Sequence, residues 1–538
     1  MVCPDGIRLA TRIWQPPQGP GPWPALLMRQ PYGRAIASTV TYAHPRWYAG
    51  QGFLVAVQDV RGRGDSEGVF AGFAQEAADG ATAVRWLRGL PGCNGRVGCY
   101  GFSYQGLSQV VIGGNGSEPD PDALPDALAP AMCGVDERLH WASEGGAHWW
   151  ALGLGWGLQL ACEGLRRRGD AEGWREIRRS LENGDWLRDG FDLLQRHDPE
   201  GMAARWLALD PAGAEGWQRH RPAAALLRRP WLLIGGWHDP HLRGVLDLWR
   251  CSRAAGGQPQ LCIGAWSHLQ WHGGIDALQL AFFRRHLVGS AAAAAPGEAT
   301  GAAVRLACSN GSGWRELAPA ALEAPPEPGI AAGWTLRSGG LAAVRSDEGE
   351  LRPAPAPGGG RLSLVHDPWR PVPARGGHLG PEPGEVDRAD IDARADVACF
   401  TTAPLPIPLE LIGEPLLELR LRADQPGFDL CAAISVLDAG GKRVRQLATG
   451  VLRQRGEACR RESLRRLRLQ PLRAQLQQGE RLRLSLAGTA WPQIAVNPGD
   501  GSIPIGAVGP AHRVIGLEFN LEDSRLWLTP LIGANWAG

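Results

Sequence analysis

Short apolar runs alternate with amphipathic segments along the first hundred residues. Segments 25–28 and 53–58 are largely apolar and uninterrupted, as is typical of strands buried on both faces of a sheet. Segment 77–90 instead repeats its apolar residues at helical spacing. Strands that alternate with helices predict a mostly parallel sheet covered by helices, which is an α/β fold.

The same alternation returns after residue 230. PWLLIGGWHD and QPQLCIGAWSH predict two late strands of the same sheet, and IDALQLAFFRRHL predicts its closing amphipathic helix. The intervening segment 136–229 carries eight of the 23 tryptophans and helical periods without strong strand patterns. We therefore predict a catalytic-type α/β domain over 1–135 and 230–295, with a helical cap inserted at 136–229.

The pattern changes again beyond residue 288. GSAAAAAPGEATGAA has no periodicity that would pack, and its Ala, Gly and Pro content predicts an interdomain linker. Segments 416–424, 430–438 and 481–488 then follow the strand period, with turn residues between them. These patterns predict a separate antiparallel β-sandwich domain over 300–538.

Length and charge agree with several domains and exclude two classes of partner. A chain of 538 residues exceeds the roughly 250 to 300 residues at which a single core stops growing. The net charge is +1, from 56 basic and 55 acidic residues, and no basic run is long enough to follow a phosphate backbone. The single lysine, Lys442, is followed by Arg443 and so cannot belong to a phosphate-binding P-loop.

Cysteine usage and the absence of long apolar segments indicate a cytoplasmic location. The eleven cysteines are an odd number and contain no C-x-x-C pair, so a disulfide framework is not expected. The first residues, MVCPDGIRLATRIWQP, contain no apolar signal segment, and no later segment approaches the ~18 apolar residues of a membrane span. We expect a cytoplasmic protein with no membrane or nucleic-acid partner.

Two serines occur in glycine-rich motifs, and their surroundings distinguish them. GDSEG around Ser66 matches G-x-S-x-G strictly, whereas GFSYQG around Ser103 is a looser variant. A nucleophile elbow needs a strand that enters the serine and a helix that leaves it. Ser103 lies between the apolar run RVGCYG and the helix-like GLSQVVIGG, while a polar loop precedes Ser66. Ser103 is thus the predicted nucleophile, the alternative being an ordinary turn in which Gly101 and Gly106 ease packing.

An acid and a base follow in the order that this fold uses. Asp239 comes at the end of the strand WLLIGG, and His268 at the end of LCIGAW. Carboxyl ends of parallel strands form the site in open α/β sheets. We therefore predict a Ser103–Asp239–His268 triad, with His268 as the general base and Asp239 as its orienting partner.

Four histidines offer a competing interpretation as a metal site. Pairs 238/241 and 268/272 have spacings found among metal ligands. No glutamate follows His268 as H-E-x-x-H requires, so we expect neither a metal nor another cofactor. His238, His241 and His272 are interpreted as polar residues of the site rim or the surface.

Several segments together resemble the cocaine esterase and X-Pro dipeptidyl-peptidase (CocE/NonD) family of α/β-hydrolases. These are PYGR at 31–34, QDVRGRGDSEG at 58–68, NGRVGCYGFSYQG at 94–106, GGWHD at 235–239 and GAWSH at 264–268. The segments VRLACSNGSGWREL, DVACFTTAPL and WPQIAVNPGDG resemble landmarks of the jelly-roll domain at the C-terminus of that family. The resemblance implies a hydrolase of esters or amides, with the same three triad residues.

By the same resemblance, the oxyanion hole combines the backbone N–H of Tyr104 with the Tyr32 hydroxyl. The loop RGRGDSEG is expected to brace the site through Arg61 or Arg63 and Asp65. Five tryptophans are candidates for an apolar acyl pocket, although packing in a helical core is the alternative: Trp141, Trp149, Trp150, Trp237 and Trp266.

The resemblance leaves the exact reaction open. The expected function is cleavage of a small-molecule ester or activated amide through an acyl-enzyme on Ser103. An acyltransferase or an X-Pro dipeptidyl peptidase with the same triad are alternatives, as is a catalytically silent protein whose β-domain binds a ligand. Glu144 and Asp136 are the acidic residues of the cap segment considered for binding a substrate ammonium group, without a firm match. A homo-oligomer is left open.

Overall fold

The computed structural model describes residues 1–35, 42–114, 119–271, 274–288, 303–324, 333–380 and 382–532. The predicted linker that starts at Gly289 falls almost entirely outside these ranges, as does His272. Two compact units are formed. One comprises residues 1–141, 218–306 and 315–319, and the other comprises residues 142–217, 307–314 and 320–538.

The first part of the chain alternates strands with helices, as its hydrophobic pattern predicts. Its strands are β1 (Thr11–Trp14), β2 (Trp23–Gln30), β3 (Leu54–Asp59), β4 (Cys93–Phe102), β5 (Ala127–Ala131), β6 (Ser143–Glu144), β7 (Ala147–His148), β8 (Leu232–His238), β9 (Gln260–Ser267), β10 (Val304–Ala307) and β11 (Trp314–Leu317). Its helices are α1 (Pro45–Gly50), α2 (Glu76–Arg88), α3 (Tyr104–Val110), α4 (Trp150–Arg168), α5 (Ala171–Asn183), α6 (Trp186–His197), α7 (Met202–Ala208), α8 (Ala224–Leu227), α9 (Leu242–Ala254) and α10 (Ile275–Phe283).

Nine of these strands form one sheet, in the order β1-β3-β2-β4-β5-β8-β9-β10-β11. Strand β1 pairs antiparallel with β3, and the pairs from β3 to β10 run parallel. Every residue of β3, β5 and β8 is buried, which explains their uninterrupted apolar sequences. The carboxyl ends of β4, β8 and β9 therefore lie along one edge of the sheet.

Strand β10 follows directly after the predicted start of the C-terminal domain at residue 300. Residues 304–306 pair in parallel with residues 261–263 of β9, so the catalytic-type sheet extends beyond the boundary predicted near residue 300. Val304 and Leu306 are fully buried in this position. Strand β10 extends the sheet, which ends at β11, although the segment VRLACSNGSGWREL resembles a landmark of the C-terminal domain.

Helices α4 to α7 form the predicted helical segment, but they cluster with the C-terminal part of the chain. Their apolar faces share one core with Ala495, and Trp491 packs against that core. The segment predicted as a helical cap insertion, 136–229, thus contains these helices between β5 and β8, and their core includes a residue from the C-terminal part of the chain. Helical periodicity identifies the apolar face of each helix and leaves its packing partner open.

The rest of the second unit is an all-β domain, as predicted. Its elements are β12 (Gly333–Arg337), β13 (Gly349–Pro353), β14 (Arg361–His366), α11 (Ala389–Asp392), β15 (Val397–Thr401), β16 (Leu409–Ala423), β17 (Gly427–Leu437), β18 (Val444–Arg455), β19 (Ser463–Arg468), β20 (Leu472–Leu476), β21 (Arg481–Ala487) and β22 (Ile515–Thr529). Eleven strands join in one sheet, with β14 and β20 attached to β22 and β16. Most pairs are antiparallel, and alternate residues of β16 are buried.

A buried ion pair lies inside this β-domain. The Arg453 guanidinium donates two hydrogen bonds of 2.7 Å to the Asp429 carboxylate, and both side chains are at most 1% exposed. Asn497 donates a further bond of 2.8 Å to the same carboxylate. The charge of Asp429 is thus compensated only within the protein.

No helix among the described residues combines the length and the apolar character needed to cross a lipid bilayer.

Candidate active site

Ser103 lies in a sharp turn between the carboxyl end of β4 and the start of α3. Its backbone has φ 59° and ψ −126°, a strained combination for a residue with a side chain. A Cβ on Gly101 would lie 2.4 Å from Cβ of Gln105, and a Cβ on Gly106 would lie 2.8 Å from the Ala131 oxygen. The two glycines allow the strand and helix to approach closely, which is the geometry of a nucleophile elbow.

The peptide after Ser103 begins helix α3 and is held by a buried polar network. Its N–H belongs to Tyr104, at the helix end where N–H groups lack partners within the helix. The Tyr104 hydroxyl donates to the Gly72 oxygen at 2.9 Å and lies 3.0 Å from Glu76 Oε1. Glu76 forms a 2.5 Å ion pair with Arg29, both side chains being 2% exposed, and burial raises the pKa of Glu76.

Asp239 and His268 are brought together by the register of β8 and β9. His238 pairs with Ser267, so the next residue of each strand leaves the sheet side by side. His268 Nδ1 donates a hydrogen bond of 2.7 Å to Asp239 Oδ1. The Asp239 side chain is fully buried, whereas that of His268 is 20% exposed. The structure thus brings the two residues predicted as acid and base into hydrogen-bond contact.

The elbow and the Asp239–His268 pair occupy the same edge of the sheet. Phe102, which directly precedes Ser103, has its ring centroid 5.4 Å from that of His268. The Ser103 N–H donates to the Ala131 oxygen at 2.9 Å, and Ala131 pairs with Ile234 of β8. The three predicted triad residues therefore converge at adjacent strand ends.

His241, interpreted from the sequence as a polar residue of the site rim or the surface, is a buried neighbour of the base. It is 5% exposed, and its ring centroid lies 4.9 Å from that of His268 and 4.5 Å from that of Trp141. Its backbone N–H donates to Asp239 Oδ2 at 3.1 Å, and its Nδ1 lies 2.6 Å from the His140 oxygen. Burial lowers the pKa of His241 to about 4, against the opposing effect of the Asp239 charge.

The rim or surface location predicted for His238 and His241 is thus wrong. His238 is 4% exposed, because it ends a central strand that is buried along its whole length. The position of His241 two residues after the predicted acid is the one signal in the sequence that links it to the site.

Tyr32 lies in a turn after β2 that two buried polar side chains hold. Its backbone N–H donates to Gln30 Oε1 at 2.8 Å. Asp59 accepts the Arg34 backbone N–H at 2.5 Å and forms a 2.6 Å ion pair with its guanidinium. Gly33 has φ +94°, which favours glycine between these two anchors. The turn is fixed from both sides of Tyr32.

The side chains of the loop RGRGDSEG form ion pairs and hydrogen bonds with neighbouring segments, as expected for a structural role. Arg61 forms a 2.7 Å ion pair with Asp79, and Asp65 forms one of 2.7 Å with Arg34. The Ser66 hydroxyl donates to the Asp59 oxygen at 2.7 Å and accepts the Ala10 N–H at 2.8 Å. Ser66 follows a turn and not a strand, so its strict G-x-S-x-G match does not form an elbow.

The five candidate pocket tryptophans are all at least 96% buried. Trp141 donates its Nε1–H to the Gly134 oxygen at 2.7 Å and packs on His241. Trp266 stacks on Trp271 at 6.1 Å, and Trp237 is the last but one residue of β8, two positions before Asp239. Trp149 and Trp150 belong to the second unit, where Trp150 is part of the helical core. For Trp150 the structure favours the packing alternative, and a lining role stays a prediction for the other four.

The two acidic residues considered for ammonium binding are engaged elsewhere. Glu144 Oε2 lies 2.5 Å from His378 Nε2, and its other oxygen accepts the Val451 N–H at 3.2 Å. Asp136 accepts the Leu139 N–H at 2.9 Å, where it caps a turn. Both carboxylates have local structural partners.

A strained serine after a central parallel strand, with a hydrogen-bonded Asp–His pair at the ends of two later strands, defines a serine hydrolase of the α/β-hydrolase class. Residues 5–270 match the profile of the X-Pro dipeptidyl-peptidase S15 family, and residues 322–518 match that of the X-Pro dipeptidyl-peptidase C-terminal non-catalytic domain. The chain belongs to the CocE/NonD and X-Pro dipeptidyl-peptidase family of serine hydrolases.

Individual relatives extend over nearly the whole chain. Cocaine esterase from Rhodococcus sp. (strain MB1 Bresler) is 27% identical over 494 residues, covering 84% of this chain and 81% of that protein. An aminopeptidase from a marine sediment Thaumarchaeota archaeon has a TM-score of 0.72 at 19% identity, covering 98% of this chain and 95% of the other. An α-amino acid ester hydrolase has a TM-score of 0.69 at 19% identity, with the same coverage of 98% and 95%. The last two show a shared fold.

Proposed function

We propose that this hydrolase cleaves carboxylic esters or activated amides of small molecules through an acyl-enzyme on Ser103. The observation that carries the proposal is the 2.7 Å hydrogen bond between His268 and the fully buried Asp239, at strand ends next to the elbow. That bond keeps the His268 proton on Nδ1, so Nε2 has the lone pair that a general base needs.

The reaction follows in two halves. As Ser103 Oγ attacks the carbonyl carbon, its proton passes to His268 Nε2, and the imidazolium is stabilised by Asp239. The protonated His268 then gives its proton to the leaving alkoxide or amine, and the acyl group remains on Ser103. In the second half His268 deprotonates a water molecule, whose oxygen attacks the acyl carbon. The bond between the acyl carbon and Ser103 Oγ then breaks, His268 returns the proton to Oγ, and the carboxylic acid is released.

The negative charge that develops on the carbonyl oxygen needs donors that are already in place. We assign this role to the backbone N–H of Tyr104 and the hydroxyl of Tyr32. The Tyr104 side chain is anchored to Gly72 and Glu76, which fixes the orientation of its peptide. Removal of one oxyanion donor typically lowers kcat by about 10²- to 10³-fold. We expect a loss of this size for Tyr32→Phe, measured by steady-state ester hydrolysis.

Two assays of Ser103→Ala test the proposal. The wild-type enzyme should hydrolyse p-nitrophenyl acetate and bind a fluorophosphonate probe covalently, and Ser103→Ala should do neither. Ser66→Ala is the matched control, since Ser66 stands in the stricter motif but outside the elbow, and it should keep both properties. Probe labelling that persists in Ser103→Ala would contradict the assignment.

A peptidase activity is the second candidate, because the S15 peptidase profile matches the catalytic part of the chain. Such an activity needs a group that binds a free substrate amine, and Glu144 and Asp136 are both engaged in local structure. We therefore expect Ala-Pro p-nitroanilide to be cleaved less efficiently than simple esters, compared by kcat/KM.

We also propose a cytoplasmic location. All eleven cysteines are free thiols, and burial raises the pKa of several of them, that of Cys99 to about 12. Unpaired thiols persist most readily in a reducing compartment.

A further inference from the structure

The imidazoles of His241 and His268 share a feature that the triad uses only in His268. Each ring has its Nδ1 held by an oxygen acceptor: the Asp239 carboxylate for His268, at 2.7 Å, and the His140 carbonyl for His241, at 2.6 Å. Each Nδ1 therefore carries the proton, and each Nε2 carries a lone pair. The ring centroids are 4.9 Å apart.

This arrangement is the one found around histidines that bind metals. A metal-binding histidine almost always donates its other ring N–H to a carboxylate or a backbone carbonyl, which fixes the tautomer and aims the ring. Here one ring has the carboxylate and its neighbour has the carbonyl. Both rings are oriented in advance, that of His268 by its triad partner Asp239 and that of His241 by a backbone carbonyl.

The geometry points to a metal site of this kind. We propose that His241 and His268, supported by Asp239, bind a divalent transition ion of the zinc type, and that the bound ion reversibly inhibits the enzyme. One ligand atom from each of the three residues lies within 4.8 Å of the other two. Zinc–nitrogen bonds of about 2.0–2.1 Å place tetrahedral ligands roughly 3.4 Å apart. The two rings, whose centroids are 4.9 Å apart, would bring their Nε2 atoms to that separation by side-chain rotation.

The chemistry of the donors determines which ions fit. Imidazole nitrogen favours zinc, copper and nickel, whereas magnesium and calcium prefer sites made only of oxygen. His241 is 5% exposed and packs between the rings of Trp141 and His268, so its nitrogen is held in place at the site. The ion binds without any change in the fold of the strands that present the ligands.

Inhibition follows from the use of His268 Nε2 for two purposes. The lone pair that coordinates the ion is the one that accepts the Ser103 proton, so a metal-bound His268 cannot act as the base. This step rests on the proposed function, whereas binding of the ion does not. The two are therefore measured separately.

The activity test is a titration of p-nitrophenyl acetate hydrolysis with ZnCl₂. Zinc should inhibit, EDTA should restore the rate, and MgCl₂ at the same concentrations should have no effect. His241→Phe, assayed against its own uninhibited rate, should need at least about tenfold more zinc for half inhibition. Mutation of even an outer-shell partner of a metal-binding histidine lowers metal affinity by about 10- to 100-fold. His148→Phe is the matched control, a buried histidine of the second unit, and should keep wild-type sensitivity.

The binding test uses Ser103→Ala, which keeps both imidazoles but not the nucleophile. Equilibrium dialysis should show one zinc per chain, and this zinc should be lost when His241→Phe is added. If His241→Phe does not fold, His241→Gln replaces it, because its amide can still donate to the His140 carbonyl. Wild-type zinc sensitivity in the His241 variant, or no zinc bound by Ser103→Ala, overturns the proposal. Zinc binding without ester hydrolysis by the wild type would refute the proposed function and leave the metal site supported.

Discussion

Asp239→Asn is the substitution that most directly tests the proposed mechanism. Asp239 is fully buried, accepts the Nδ1 proton of His268 at 2.7 Å and accepts the His241 N–H at 3.1 Å. An asparagine of the same shape can keep the backbone bond with its oxygen. Its amide group then faces His268 as a donor, which favours the tautomer with the proton on Nε2. That tautomer cannot accept the Ser103 proton.

The expected loss is large and confined to catalysis. In a triad with intact geometry, the wrong tautomer costs about 10⁴-fold in kcat, or roughly 5.5 kcal/mol of transition-state stabilisation. The measurement is kcat and KM for p-nitrophenyl acetate, with KM expected to change little because substrate contacts are unaltered. Circular dichroism and the thermal midpoint establish that the variant is folded.

Asp247→Asn is the matched control. Asp247 is 4% exposed in α9 of the same unit and pairs with Arg219 at 2.7 Å and with Arg250. Its replacement removes a buried carboxylate of equal size and should lower stability while kcat stays within a few-fold of wild type. An Asp239→Asn enzyme that is folded and retains more than about a tenth of the wild-type kcat would refute the mechanism, since the tautomer argument allows far less.

Three further predictions concern stability and can be checked by urea unfolding. Gly106→Ala should lose about 1–3 kcal/mol, because its Cβ would overlap neighbouring atoms at 2.8 Å. Gly153→Ala, on a helix with nothing within 4 Å, should instead gain up to about 1 kcal/mol, and equal effects at the two sites would contradict the packing argument. Arg453→Met should lose about 3–5 kcal/mol by leaving Asp429 charged and unpaired, whereas Arg453→Met with Asp429→Leu should recover most of that loss. Burial, aided by the Arg453 charge, lowers the pKa of His148 from 6.5 to about 4, so the folded state favours its neutral form. This pKa difference leaves the free energy of unfolding unchanged above pH 6.5 and lowers it by about 3 kcal/mol as the pH falls toward 4. His148→Gln should flatten that decline.

Local patterns were enough to predict that Ser103, Asp239 and His268 lie at one edge of the sheet, because each follows a short apolar strand. The run before Ser103 and the strands before Asp239 and His268 can be read within ten residues of each site residue. In parallel sheets such ends meet at one edge, so local patterns also carry information about the site. The family profiles confirm the class of enzyme that these residues suggested.

Features that depend on contacts between distant segments of the chain could not be predicted from local sequence patterns. Residues 304–306 have the composition of any short strand, and only their pairing with β9 assigns them to the catalytic sheet. The sequence shows the apolar faces of the helices in 142–217, but it does not show that Ala495 packs against them. The burial of His241 likewise follows from its contacts with His268 and Trp141, which lie far from it along the chain.

The grouping of residues 142–217 with the C-terminal part of the chain has a consequence for biosynthesis. These helices leave the ribosome before strands β8 and β9, yet Ala495, a member of their core, is synthesised some three hundred residues later. Until then the helices can pack only on one another, and a chain stopped near residue 300 never supplies Ala495 to their core. Expression of the catalytic half alone is therefore expected to leave the helical segment less stable, and separate production of the two halves requires the helical segment to be included with the second.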